Sequence, residues 1–431
     1  MAIVVTMLSL ILEQLHFLFY LFITEKVKWR PVIWGLGLQL TLAVLILRWT
    51  PGFNFFKYLG DQVRAFLEFA DFGSKFVFGE KGIEDHPMAF QVFPIVIYFS
   101  AVINIFYYWG VMQFVVCKIA WLMQFTMGTT AIESLNAACN IFIGMAESCV
   151  IMRPFLYKLT RSELHAVMTG GFATVAGSYI ALLVQAPPEH LVSAAIMSAP
   201  AALAMAKLSY PEVEVSRTKT EGDVQMEKAT ERNIIQAASN GAISAIKVVA
   251  SVATNLIAII GLIEFLNTVL KYLGSLVGVE GFSFEAICAV IFWPLAVIMG
   301  VEIEDAGKVG SLLGTKVFVD EYISFNALVK MTKNNEIKDR SKVLATYACC
   351  GFGSVAAMGM YIGALTTVAP KRKDDISEVA FRAMLNGNIA GFLTACIAGI
   401  LYDTNSFKSF MINPPGSNVN ETIFNLTALS S

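Results

Sequence analysis

Apolar runs recur along the whole chain, and nothing else in the sequence constrains its fold so strongly. Residues 31–47, 88–109, 191–205, 240–267, 282–313 and 379–401 each form such a run. A bilayer offers no water to exposed amides, so a segment crossing it must satisfy its own backbone, in a helix or a closed barrel. Runs of this length suit spans of about 20 helical residues better than the shorter strands of a barrel. Composition agrees: 56% of the 431 residues are hydrophobic and 15% are charged, against about a quarter charged in soluble domains. The expected fold class is an all-α integral membrane protein with many spans. A net charge of −2 gives no footprint for a nucleic-acid partner. Most of the seven cysteines sit in apolar stretches without a CxxC pair, which predicts buried thiols rather than a metal site or disulfide framework. The N-terminus lacks the basic flank and cleavage site of a signal peptide and begins directly in a hydrophobic helix.

Polar residues inside such runs carry the information. Asn140-Ile-Phe-Ile-Gly-Met-Ala-Glu147 interrupts an apolar region from about Met123 to Leu159. Asn140 and Glu147 are costly where water is absent, and Gly144 between them tolerates a sharp reversal. One reading is a re-entrant hairpin whose tip meets substrate or ion at mid-membrane. The other is a kinked buried helix with Glu147 paired structurally.

The rest of the chain frames that segment. Residues 1–24 form a first span interrupted by Glu13, Gln14 and His16, and a cleaner one covers Pro31 to Leu47. Residues 51–86 mix phenylalanines with charges, as an amphipathic helix at the membrane surface does. A span from Met88 to Trp109 ends in Tyr107-Tyr108-Trp109, an interfacial anchor. Ser162-Glu-Leu-His165 reads as a helix start. Ser198-Ala-Pro200 predicts a kink or break, residues 207–232 an aqueous loop, and Asn240 to Asn267 a long span. The block from Phe282 to Leu313 repeats the character of the first hairpin, with Pro294, Gly300 and the acids Glu302, Glu304 and Asp305.

Two segments match each other. Gly171-Phe-Ala-Thr-Val-Ala-Gly177 and Gly351-Phe-Gly-Ser-Val-Ala-Ala357 share a pattern, each follows an acid-bearing hairpin candidate, and each precedes an Ala-Pro. Internal repeats with broken helices point to a secondary transporter site. Orientation signals conflict. Lys371-Arg-Lys373 and the sequons at Asn420 and Asn425 put the C-terminus outside, whereas the lysine-rich connection at 330–342 then falls on the wrong side of the positive-inside rule. Gly310-Ser-Leu-Leu-Gly-Thr-Lys316 has the wrong spacing for a P-loop, and no nucleophile–base or metal motif is visible, so neither ATP drive nor an enzyme is expected.

Longer motifs carry a resemblance. Asn140-Ile-Phe-Ile-Gly144, Ser162 through Ser178, Ser198-Ala-Pro-Ala-Ala-Leu203, Lys28-Trp-Arg-Pro-Val-Ile-Trp-Gly-Leu-Gly-Leu38, Phe76-Val-Phe-Gly-Glu-Lys81, Ala369-Pro-Lys-Arg-Lys373 and Thr394-Ala-Cys-Ile-Ala-Gly399 resemble the concentrative nucleoside transporter family, over about residues 27–400. The resemblance implies a plasma-membrane, glycosylated homotrimer in the lipid bilayer, with two re-entrant hairpins, broken helices and an internal inverted repeat. It implies sodium as the coupling ion, without a cofactor, held by the side chains of Asn140 and Thr174 and the carbonyls of Ile143 and Val175. It divides the chain into scaffold spans (1–128), first hairpin and transport repeat (129–230), scaffold span (231–278), second hairpin and repeat (279–402) and an outer tail (403–431).

The solute site departs from the family pattern. The first hairpin tip, Gly-Gln-Thr-Glu in the family, reads Gly144-Met145-Ala146-Glu147 here. Asp320-Glu321-Tyr322 stands where the family's second broken helix has Asn-Glu-Phe, and Ser354 and Ala357 stand where its Asn and Ser meet ribose. Each lost bond to a buried polar group costs about 1–3 kcal/mol if nothing replaces it. Glu147 and Glu321 survive together, and carboxylates kept at mid-membrane imply a ligand, cation or proton partner. The expected function is sodium-driven uptake of nucleosides or nucleoside-like solutes by an elevator mechanism. The rival reading is a diverged fold that binds another solute or lacks coupled transport.

Overall fold

A computed structural model describes residues 27–85, 89–90, 93–142, 144–153, 155–175, 188–218, 231–276, 278 and 282–401. The expected first span, Ile143, the tail with its sequons and residues 219–230 of the hydrophilic loop lie outside the described residues, as do the side chains of Ala146 and Glu147.

Helix α1 (Trp29–Leu47) is the cleaner N-terminal span, and α2 (Thr50–Glu68) and α3 (Ala70–Asp85) cover the amphipathic stretch. Phe55, Tyr58, Phe69, Phe72 and Phe76 on α2 and α3 and in the turn between them are exposed, as side chains entering a lipid interface are. The next apolar run ends near Trp109 and a second helix follows it. The two are α4 (Phe93–Tyr108) and α5 (Val111–Met127), bent by 80°. The bend sits at Gly110, whose φ of 78° is open to glycine at little steric cost.

The first repeat is a hairpin of α6 (Ala131–Phe142) and α7 (Met145–Met152), followed by α8 (Arg161–Ala173), which breaks at Thr174. Helix α8 starts from a capping box: Thr160 accepts from the Glu163 amide while the Glu163 carboxylate accepts from the Thr160 amide. The same Glu163 accepts from the hydroxyls of Ser216 and Thr218, at 2.5 and 2.9 Å. Nearby, the buried Lys207 pairs with Glu133 and Glu212 and donates to Ser162 at 2.9 Å. Glu133, in the first turn of α6, therefore belongs to a structural network at the hairpin's base.

Helix α9 (Pro188–Ser209) continues through Pro200, so of the expected kink or break the break is absent. Buried alanines surround the proline on this helix, and α1 lies directly against it: a Cβ on Gly35 would stand 2.8 Å from the Pro200 carbonyl. Tertiary packing overrides the local cost of proline here. Helix α10 (Ile234–Leu276) has 43 residues, which is about 65 Å of helix and more than twice the ~30 Å of a bilayer core. The expected span at 240–267 is only its middle.

The second repeat corrects the expected hairpin. Helices α11 (Phe284–Ile298) and α12 (Ile303–Phe318) fold back at 119° around Gly300. Two of the acids at that turn face water, however: Lys338, half exposed, bonds Glu302 and Glu304 at 2.5 and 2.9 Å, and these contacts raise its pKa, while the buried Asp305 accepts from the Lys338 amide at 3.0 Å. The buried tip lies further on, where only Val319 and Asp320 separate α12 from α13 (Glu321–Lys333). Ser324 on α13 donates to the Leu312 carbonyl on α12 at 2.7 Å, which pairs the two as a hairpin. Asp320-Glu321-Tyr322 is thus a hairpin tip rather than part of a broken helix. The broken helix is α14 (Asp339–Cys349) and α15 (Val355–Val368), interrupted at 350–354, and α16 (Lys373–Leu401) closes the chain after a short 3₁₀ turn. Hairpin and helix follow in the same order in both repeats; the second Gly-Phe motif spans the interruption at 350–354, and the described part of the first, 171–175, lies where α8 ends.

Candidate functional site

The first half-site forms where α6 faces the end of α8. Asn136 and Asn140, four residues apart on α6, share one helical face. Both are buried, and a Cβ on Gly170 would stand 3.2 Å from the Nδ2 of each. Asn136 donates to the Val167 carbonyl at 3.0 Å. Neither side-chain atom of Asn140, nor the Oδ1 of Asn136, has a hydrogen-bond partner among the described residues. Thr174, at the break, donates its hydroxyl to the Gly170 carbonyl at 3.0 Å, which leaves its oxygen free to accept. Val175 is buried beside it. Unsatisfied amide oxygens are costly in a protein interior, and oxygen donors of this kind suit a hard cation. The residues present therefore fit sodium. Asn136 was not singled out from the sequence, although paired carboxamides one turn apart in an apolar helix were the signal for it.

Met145 opens α7 at the first tip, buried, with its carbonyl accepting from the Ser148 hydroxyl at 2.9 Å. Its side chain brings no hydrogen bond.

The second half-site centres on Glu321, the first residue of α13. It is 3% exposed, and its Oε2 has no partner among the described residues. Asp320 caps the helix by accepting from the Tyr322 amide at 2.8 Å. Ser354, fully buried at the second break, accepts from the Ala357 amide at 3.0 Å and lies within hydrogen-bonding reach of Glu321. Ala357 is fully buried on the same turn.

A seam joins the two halves. Tyr361 on α15 reaches across to α8, donating to the Val167 carbonyl at 3.3 Å and meeting Phe172 edge-on at 5.3 Å between ring centroids. Only glycine fits at 171, because a Cβ there would come within 2.7 Å of the tyrosine ring. The structure thus brings Asn140 to Thr174 through Gly170, and Glu321 to Ser354 and Ala357, with the halves meeting at the two breaks. It also shows that Asn386 and Asn388 of α16 reach both repeats: Asn386 meets His165 at 3.2 Å and Asn388 donates to the Gly353 carbonyl at 2.6 Å.

Paired half-sites at broken helices inside a many-span α-helical protein define a membrane transporter of the secondary type. Three family profiles match this chain: Na+ dependent nucleoside transporter N-terminus over residues 15–81, nucleoside recognition (Gate) over 89–186, and Na+ dependent nucleoside transporter C-terminus over 190–399. Solute carrier family 28 member 3 of Mus musculus is 46% identical over 394 residues, covering 88% of this chain and 56% of its own. Sodium/nucleoside cotransporter 1 of Mus musculus is 44% identical, covering 90% and 62%. This chain thus spans somewhat more than half the length of these relatives. The solved structure of CNTnw in an inward-facing substrate-bound state superposes with a TM-score of 0.82 at 32% identity, covering 88% of this chain and 92% of that one. The chain belongs to the sodium-dependent nucleoside transporter family, a family of transporters and not of enzymes.

Proposed function

We propose that this protein is a sodium-driven concentrative symporter of nucleosides or nucleoside-like solutes, working as a homotrimer in the plasma membrane by an elevator-type movement. The observation that carries the reading is the buried Asn140 carboxamide, unpartnered among the described residues and set against the Gly170–Thr174 turn. Sodium there would be held by Asn140, Thr174 and the carbonyls of Ile143 and Val175. Solute would lie between the two tips, against Met145, Ala146 and Glu147 on one side and Glu321, Ser354 and Ala357 on the other. Each sodium entering supplies about 2.3 kcal/mol per 100 mV of membrane potential, besides its concentration gradient. Coupling requires that the doubly loaded, closed state be stabilised more than either singly loaded one.

The test is uptake of labelled uridine, adenosine and a free nucleobase by expressing cells in sodium or choline medium. Sodium-dependent accumulation of a nucleoside is the expected result; surface-expressed protein that accumulates none of them rejects the reading. A second reading, solute binding without coupled transport, is favoured by Met145 and Ala357, which offer no hydrogen bond where a polar solute needs one. Binding of uridine without sodium-dependent accumulation would select it.

A further inference from the structure

Lys316 and Asn388 lie inside the second half-site, and the reading above gives neither a role. Lys316, on α12, is 1% exposed. Its ammonium donates to Asn388 Oδ1 at 2.6 Å and sits 5.2 Å from the centre of the Phe392 ring, one turn along α16. Asn388 donates in turn to the carbonyls of Gly353 at 2.6 Å and Met384 at 3.2 Å. A Cβ on Gly353 would come within 2.3 Å of Asn388 Oδ1, so the amide fills the space that any side chain at 353 would need. The carboxamide is held on three sides and cannot turn.

The ammonium is not held in the same way. One bond to a neutral oxygen leaves it two free donors, and a buried cation without an anion is costly. Glu321 opens the helix that follows, across the Val319–Asp320 tip from the last turn of α12 that carries Lys316. The two form no ion pair among the described residues, and Glu321 Oε2 is unpartnered. An amine with donors to spare and a carboxyl oxygen without a partner, both buried, lie in one half-site.

We propose that Lys316 and Asn388 complete the solute site. Asn388 is a positioning residue that fixes the ammonium opposite Glu321, and Lys316 binds the solute. The half-site then prefers a solute bearing a hydroxyl that donates to Glu321 and accepts from Lys316. The proposal rests on Glu321 being solute-binding, as read above.

The experiment measures labelled uridine and adenosine uptake against sodium and solute concentration in expressing cells. It compares wild type, Lys316→Met, Asn388→Ala, Gly353→Ala and the double variant Gly353→Ala/Asn388→Ala, with surface biotinylation as control. Lys316→Met and Asn388→Ala should raise KM about tenfold or more, the size of a lost hydrogen bond to a charged group. Half-saturation by sodium, which binds in the other half-site, should stay within twofold; a merely structural defect would move it as well. Gly353→Ala displaces the amide and should reproduce Asn388→Ala, adding nothing in the double variant. If Lys316→Met does not reach the surface, the Gly353/Asn388 cycle still decides. Unchanged KM in Asn388→Ala, or effects that multiply in the double variant, overturn the proposal while wild-type uptake stands. Wild-type protein that takes up neither nucleoside rejects the functional reading, and this proposal with it.

Discussion

At the scale of single residues, the most informative group is one the protein does not satisfy by itself. Asn140 is 1% exposed with both polar atoms unpartnered among the described residues. An amide kept only for folding would be stabilising; one kept for an ion is a burden until the ion arrives. Asn140→Ala should therefore leave the sodium-free melting temperature unchanged or raise it, by about 1 kcal/mol of stability. The same substitution should raise the sodium concentration for half-maximal uptake about tenfold. A lower melting temperature with normal sodium activation would show that the amide serves the fold. Glu321→Gln keeps the shape of the second tip and removes its charge. Uptake should fall at least a hundredfold at unchanged surface level, because a hydroxyl then bonds a neutral oxygen in place of a carboxylate.

At the scale of elements, the breaks are held together by close approach. Gly171→Ala drives a methyl into the Tyr361 ring, and overpacking of this kind costs about 1–3 kcal/mol. Shortening the partner in Gly171→Ala/Tyr361→Leu should recover most of the lost melting temperature of the purified protein; additive losses would place the strain elsewhere. At the hairpin's base, Lys207→Met leaves Glu133 and Glu212 without their cation, an imbalance worth about 3–5 kcal/mol. Adding Glu133→Gln should return part of that stability. These elements were unequally legible in the sequence. Helix α8 was readable from its N-terminus, because a capping box is a local code. The second hairpin was not: acids mark both Gly300 and Asp320, and only contacts with Lys338 or Ser354, distant in sequence, decide which turn is wet and which is buried. Pro200 misled for the same reason, since its tolerance comes from α1 packing against α9. The pairing of Lys316 with Asn388 is not legible in the local sequence because the two lie 72 residues apart on different helices, although a carboxamide in the apolar α16 is itself a signal.

At the scale of the whole molecule, the proposed division into a fixed scaffold (1–128) and moving repeats makes α1 and α9 opposite faces of a sliding interface. Here they are in intimate contact: a Cβ on Gly35 would stand 2.7 Å from Ala204 Cβ. Close by, buried Gln39 of α1 donates to Thr394 of α16 at 2.8 Å, and Thr394 also meets Ser198 of α9 at 3.0 Å. An elevator movement must break these contacts, and Gln39 is a polar group that can re-pair after a shift where a fully apolar seam would simply re-bury. Joining the two helices covalently should therefore stop transport without destroying either half-site. In Gly35→Cys/Ala204→Cys, oxidation should abolish sodium-dependent uptake and a reductant should restore it to the level of Gly35→Cys alone, which α1 accommodates only by shifting from the Pro200 carbonyl, with neither single variant responding to oxidant. Sodium should still raise the melting temperature of the oxidised protein, since the locus around Asn140 and Thr174 lies wholly on one side of the link. Uptake that survives complete cross-linking would show that α1 travels with α9, and α1 would then belong to the moving part rather than to the scaffold.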